Sequence, residues 1–177
     1  MKNNQKVMLD AVKNALDKSR REESKLSQTV LDLPGLTSHK VKHFINNMCE
    51  MPDTTYLEVG VYQGAMFASA LEGNNIIANA VDNWSDTHNV PMRDIDIKAE
   101  TDDTKQVFLK NIRPYTGGKS ITIVDSDSEN SLSKIPVKSN VVLYDGEHTE
   151  EAHFNFLTKY NSKIDNTFCL IIDDWNW

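Results

Sequence analysis

A glycine turn set between two apolar runs constrains this chain most. Residues Tyr56-Leu57-Glu58-Val59-Gly60-Val61-Tyr62-Gln63-Gly64 read as a short buried strand that breaks into a Gly-x-x-x-Gly turn. Small residues suited to a helix follow, Ala65 to Leu71, and a second apolar run, Ile76 to Val81, ends in Asp82-Asn83-Trp84. Strand, glycine turn, helix, strand, and an acid roughly 20 residues on form the pattern of a nucleoside-binding βαβ unit. In that pattern the glycines let backbone approach a ligand closely, and the acid accepts hydrogen bonds from ribose hydroxyls.

Two details bear on the ligand. Dinucleotide sites use Gly-x-Gly-x-x-Gly because a pyrophosphate needs several exposed N–H groups at a helix N-terminus. Here the middle glycine is absent, and Glu58 stands just before the turn, where it would repel a pyrophosphate. An acid there suits a ligand carrying an ammonium and a sulfonium. The stretch resembles motif I of the class I S-adenosylmethionine-dependent methyltransferases, Glu/Asp-x-Gly-x-x-x-Gly, and Asp82 matches that family's ribose-binding acid. The resemblance implies S-adenosylmethionine as cofactor. It places Glu58, Gly60, Tyr62, Gly64, Asp82, Asn83 and Trp84 around it, with Trp84 either stacked on the adenine or a wall residue packed on the sheet end. Asp127, in Val124-Asp125-Ser126-Asp127-Ser128, matches the position that bonds the adenine amino group. Asp125 is a competing register, and capping of a short helix over 129–132 is the alternative for both.

At 177 residues the chain is expected to form one domain with a real core. A net charge of −7 without a basic run argues against nucleic acid as an electrostatically steered partner. No apolar stretch reaches membrane-span length, and the polar N-terminus lacks a signal-peptide apolar region. Cys49 and Cys169 fall in apolar patterns and read as buried, reduced thiols, which fits a cytoplasmic protein.

Residues 1–53 read as an N-terminal helical extension. One helix is expected over about Asn4 to Arg21, with Val7, Met8, Ala11, Val12, Ala15 and Leu16 inward. A second follows Ser38 as N-cap, with Val41, Phe44, Ile45, Met48 and Cys49 inward. Residues 54–177 alternate strand and helix patterns, the mark of an α/β, Rossmann-like, doubly wound and mainly parallel sheet. Five strands are expected: Thr55–Val61, Ile76–Asp82, Ser120–Val124, Asn140–Tyr144 and Thr167–Ile172. Helices are expected at Ala65–Leu71, about Asp103–Ile112, and Glu150–Tyr160, the last with Ala152, Phe156, Leu157 and Tyr160 inward. The stretch Ser85 to Ala99 has no period and reads as a lid beside the ligand. The resemblance implies a seven-stranded sheet, of which the five strands read as an incomplete version. An edge left uncovered would favour a homo-oligomer.

Acids collect where the strands end. Ligands of a parallel α/β sheet sit beyond the carboxyl ends of its strands, and Glu58, Asp82, Asp125, Asp127, Asp145, Asp173 and Asp174 all fall there. Like charges without counter-charges are costly, which points to a cationic ligand or a metal. Asp145 with Asp173 and Asp174 offers three carboxylates from neighbouring strand ends, an all-oxygen set that favours magnesium over zinc. These positions resemble the ligands of the metal-dependent small-molecule O-methyltransferases within the same family. His148, in Asp145-Gly146-Glu147-His148, resembles the histidine of those enzymes. The resemblance implies a bound magnesium ion that lowers an acceptor hydroxyl's pKa, with His148 and Asp145 as the catalytic pair. Capping and surface charge are the alternative for the acids, and a loop hydrogen bond the alternative for His148. A non-catalytic nucleoside-ligand-binding or assembly domain is the rival reading, and an NAD or nucleotide-sugar enzyme another.

Overall fold

The structure is a computed structural model that describes residues 2–85 and 104–173. The expected lid falls almost entirely on residues 86–103, outside the described residues, and so does Asp174. Five strands make one sheet: β1 (Thr55–Val59), β2 (Ile77–Asp82), β3 (Ser120–Asp125), β4 (Ser139–Tyr144) and β5 (Ile164–Ile172). All four pairings are parallel, in the order β3-β2-β1-β4-β5. The α/β class, the strand number and the parallel sheet are therefore as the sequence implies.

The chain enters through α1 (Lys2–Arg20), a single-turn α2 (Gln28–Leu31) and α3 (His39–Met48). Crossovers α4 (Ala65–Leu71), α5 (Thr104–Ile112) and α6 (Glu150–Lys159) then link the strands. Two apolar layers sandwich the sheet. One gathers Ala15, Ile45, Met48, Cys49, Tyr56, Phe67, Leu71 and Phe108, so α1 and α3 share a core with α4 and α5. The other gathers Leu57, Val59, Val142, Tyr144, Phe156 and Tyr160 under α6. Period-2 alternation sends Tyr56 to one layer and Leu57 and Val59 to the other.

The local signals act as expected at several boundaries. The Ser38 hydroxyl accepts from the Val41 N–H at 3.3 Å and caps α3. Thr149 caps α6 through the Ala152 N–H at 3.1 Å, with Glu150 and Glu151 in the favourable first turn.

The inward stripes are narrower than the periodicity suggests. On α1, Ala15 is buried and Met8 and Val12 partly so, but Val7 and Leu16 are exposed, because the helix packs chiefly on α3 and β5 among the described elements. Phe156 of α6 and Tyr160 just past its end are buried while Leu157 is exposed, and His153 packs on Tyr144 of β4.

The short α2 was not anticipated. It is held from below by Lys42, which is 2% exposed and donates to the carbonyls of Val30, Leu31 and Leu33 at 3.2, 2.7 and 2.7 Å.

Candidate functional site

The carboxyl edge of the sheet carries the glycine turn, and three left-handed residues shape it. Gly60 has φ +86°, Tyr62 +46° and Gly64 +81°. The Gly60 N–H donates to the Val81 carbonyl at 2.9 Å, tying the end of β1 to β2. Asp82 then closes the turn. Its Oδ2 accepts the N–H groups of Val61 at 2.9 Å and Tyr62 at 2.8 Å, and its Oδ1 accepts that of Trp84 at 2.7 Å. A carboxylate offers about four lone-pair directions. Three are spent on backbone N–H groups of the described residues.

Both glycines are spoken for by the protein itself. A Cβ on Gly60 would sit 2.0 Å from the Asp145 carbonyl oxygen, and one on Gly64 would sit 2.7 Å from the Phe108 ring. On the side that a Cβ would take, Gly60 thus meets the backbone leaving β4, because β4 is the direct sheet neighbour of β1. Gly64 likewise allows α5 to pack closely on the turn.

Trp84 packs against Phe108 of α5 and the turn. Its ring lies 5.4 Å from that of Phe108, its indole N–H donates to the Tyr62 carbonyl at 3.0 Å, and the Lys105 ammonium sits 5.3 Å from its centroid. Lys105 also bridges to Asp125 at 2.7 Å. Asn83 beside it is exposed, and its side chain accepts from Ser85. Asp127 is exposed and bonds Asn130 through both the Asn130 backbone N–H at 2.8 Å and the side-chain amide. Those bonds hold its carboxyl below the usual range. In this arrangement it stabilises its own loop.

Glu58 occupies the interior. It is 1% exposed, its Oε2 accepts from the Tyr56 hydroxyl at 2.7 Å, and its Oε1 is buried without a hydrogen-bond partner. Burial, with Asp145 and Asp82 nearby, pushes its carboxyl well above the ordinary carboxylate range, against the Tyr56 hydrogen bond.

Beyond β4, His148 Nε2 stands 3.9 Å from Asp145 Oδ1, with the His153 ring 6.3 Å away. The Asp173 N–H donates to the Tyr144 carbonyl at 3.0 Å, so Asp145 and Asp173 follow paired strand ends. Among the described residues, no three His, Cys, Asp or Glu side chains group to hold an ion. Of the three expected magnesium ligands, Asp145 and Asp173 are described and Asp174 lies outside the described residues. Cys49 and Cys169 are free thiols; burial pushes Cys169 up to about 11.

Sequence reasoning missed the residues that seal the turn from α5. Phe108 lies under Gly64 and Trp84, and Asn111 donates to the Gln63 carbonyl at 2.9 Å. Tyr56 was legible in principle, since it stands two places before Glu58 and so on the same face of the strand.

No family model and no curated protein matches the sequence. Solved structures share the fold. The SAH-bound methyltransferase PaMTH1 of Podospora anserina superposes with a TM-score of 0.54 at 12% identity, over 93% of this chain and 62% of that one. A precorrin 8W decarboxylase of Methanobacterium thermoautotrophicum gives 0.55 at 18% identity, over 78% of this chain and 64% of that one. YjhP of E. coli gives 0.53 at 12% identity, over 82% and 52%. The chain thus spans between about half and two thirds of the length of these proteins. At such identities the likeness is one of fold.

Proposed function

We propose that this chain is an S-adenosylmethionine-dependent methyltransferase domain of the class I type, acting on an oxygen of a small-molecule acceptor. One observation carries the reading: Asp82, at the end of β2, locks the Gly60–Gly64 turn at the carboxyl edge of a β3-β2-β1-β4-β5 parallel sheet. A fold neighbour holding SAH supports the choice of ligand class.

The cofactor would lie on the turn and supply an electrophilic methyl group on its sulfonium. The chain's own part is positioning. Asp82 offers Oδ1 to a ribose hydroxyl. Tyr62 and Trp84, linked by the indole hydrogen bond, form the wall beside it. His148, at the mouth of the β4–α6 loop, takes the acceptor's proton as that oxygen attacks, and Asp145 orients the ring and steadies its positive charge. Assistance by magnesium through Asp145, Asp173 and Asp174 is a finer reading that rests on the sequence resemblance. A homo-oligomer closing over β5 is a further proposal, supported by the position of β5 at the end of the strand order and by the exposed Phe168 on it.

Calorimetry with S-adenosylmethionine, its demethylated product, NAD and a nucleotide sugar tests the reading, with and without magnesium. Binding of the first two alone supports it. Binding of NAD instead would move the chain to the dinucleotide enzymes. Binding without turnover on any catechol or sugar hydroxyl would favour a ligand-binding domain.

A further inference from the structure

The Glu58 carboxyl is placed where a negative charge cannot rest alone. It lies on the central strand, between Ala80 of β2 and Leu143 of β4, two residues before Gly60. Water does not reach it, one oxygen has only the Tyr56 hydroxyl, and the other has no partner. Among the described residues, the titratable groups that act on it are Tyr56 on its own strand, Asp82 from β2, Asp145 from the exit of β4, and Cys49 from the end of α3, which Cys169 of β5 acts on in turn. The helix α4 on the same side, Ala-Met-Phe-Ala-Ser-Ala-Leu, has no titratable side chain. None of these groups is a cation. An isolated buried carboxylate is costly and takes up a proton instead, and two neighbouring acids add to that tendency.

We propose that Glu58 is protonated in the free chain and releases its proton when a cationic ligand seats on the Gly60–Gly64 turn, so that ligand binding and proton release are one event. This rests on the cofactor reading above. A neutral carboxylic acid and a cationic ligand give a carboxylate–cation pair and a proton delivered to solvent. The positive charge of an ammonium or sulfonium supplies the counter-charge that the described residues do not offer Glu58. A nucleoside of similar size without that charge gains nothing from Glu58. The device therefore selects for charge, and binding tightens as pH rises.

Two measurements test it. Infrared difference spectra of the free chain at neutral pH should show a protonated carboxyl band that disappears in Glu58→Gln. Calorimetry at the same pH, in buffers of different ionisation enthalpy, should show close to one proton released per S-adenosylmethionine bound and none for 5′-methylthioadenosine. Affinity for the first should rise by up to about tenfold per pH unit while Glu58 stays protonated in the free chain. Glu58→Gln should bind more weakly, without proton release and without that pH slope. An ionised Glu58 in the free chain, or S-adenosylmethionine binding with no proton exchanged, overturns the inference and leaves the cofactor reading standing. Failure of every nucleoside to bind overturns the cofactor reading and the coupled release with it, while the infrared band still reports separately on the proton.

Discussion

Gly60 and Asp145 meet backbone to backbone, with no room for a methyl group between them. The Asp145 N–H donates to the Val59 carbonyl at 2.8 Å, which holds that approach in place. Gly60→Ala therefore meets both a positive φ and a carbonyl oxygen that cannot move aside. It should destabilise the fold by roughly 3 kcal/mol or more. Denaturant unfolding checks this. A variant as stable as the parent would mean that β4 leaves the sheet by another path.

Asp82 should prove structural before it proves ligand-binding. Asp82→Ala strands three N–H groups in a partly buried turn, so stability should fall by roughly 2–4 kcal/mol. Asp82→Asn keeps one acceptor oxygen and should recover part of that loss. Urea midpoints of the two variants, read beside their affinity for S-adenosylmethionine, separate the roles. Full stability with lost binding would assign the carboxylate to the ligand alone.

The buried acid sets the sign of a pH dependence. The folded chain holds the Glu58 proton above the ordinary carboxylate range while the unfolded chain has already lost it. The native state then binds more protons, so stability falls as pH rises, by up to about 1.4 kcal/mol per unit from this group. The window runs from the ordinary glutamate value up to the raised one. Glu58→Gln should flatten that slope and leave the ligand-free chain at least as stable at neutral pH. Melting temperatures across pH for both proteins check the sign, and identical slopes would show that Glu58 ionises freely.

Lys42 should matter more than a lysine usually does. Its ammonium gathers three carbonyls of the Val30–Leu33 segment, where burial lowers its pKa. Lys42→Met keeps the stem's packing but removes the ammonium from all three carbonyls, of which Val30 keeps the Leu33 N–H, at a cost of about 2 kcal/mol. Hydrogen exchange should then show α2 opening ahead of the sheet. Unchanged exchange there would indicate that water replaces the ammonium without loss.

The sequence displayed the sheet because each strand is a dense apolar run closed by an acid or a turn, and β1, β2 and β4 are buried on both faces. The site was legible in kind but not in its bonding. Gly60, Gly64 and Asp82 stand where the motif puts them, yet their first partners are Asp145, Phe108 and three backbone amides. Such partners come from β4 and α5, and spacing along one chain segment carries no information about which distant element will fill a gap. Asp127 illustrates the same limit from the other side: its loop partner is three residues away, and the local Asx turn satisfies it without any ligand. The helix α2 escaped notice because four residues cannot show a helical period, and the lysine that holds it belongs to α3.

The strand order also governs assembly. β1 reaches β2 through one short helix, but its other flank waits for β4, and the Thr55 amide meets the Asn140 side chain across 85 residues of chain. Closing so long a loop carries an entropic cost that only non-local contacts can offset. β1, β2 and β3 can therefore associate while Gly60 still has an empty flank. The turn acquires its final shape only when the Asp145 backbone arrives, so during refolding the return of binding competence should follow the slowest phase and not the appearance of the first parallel pair.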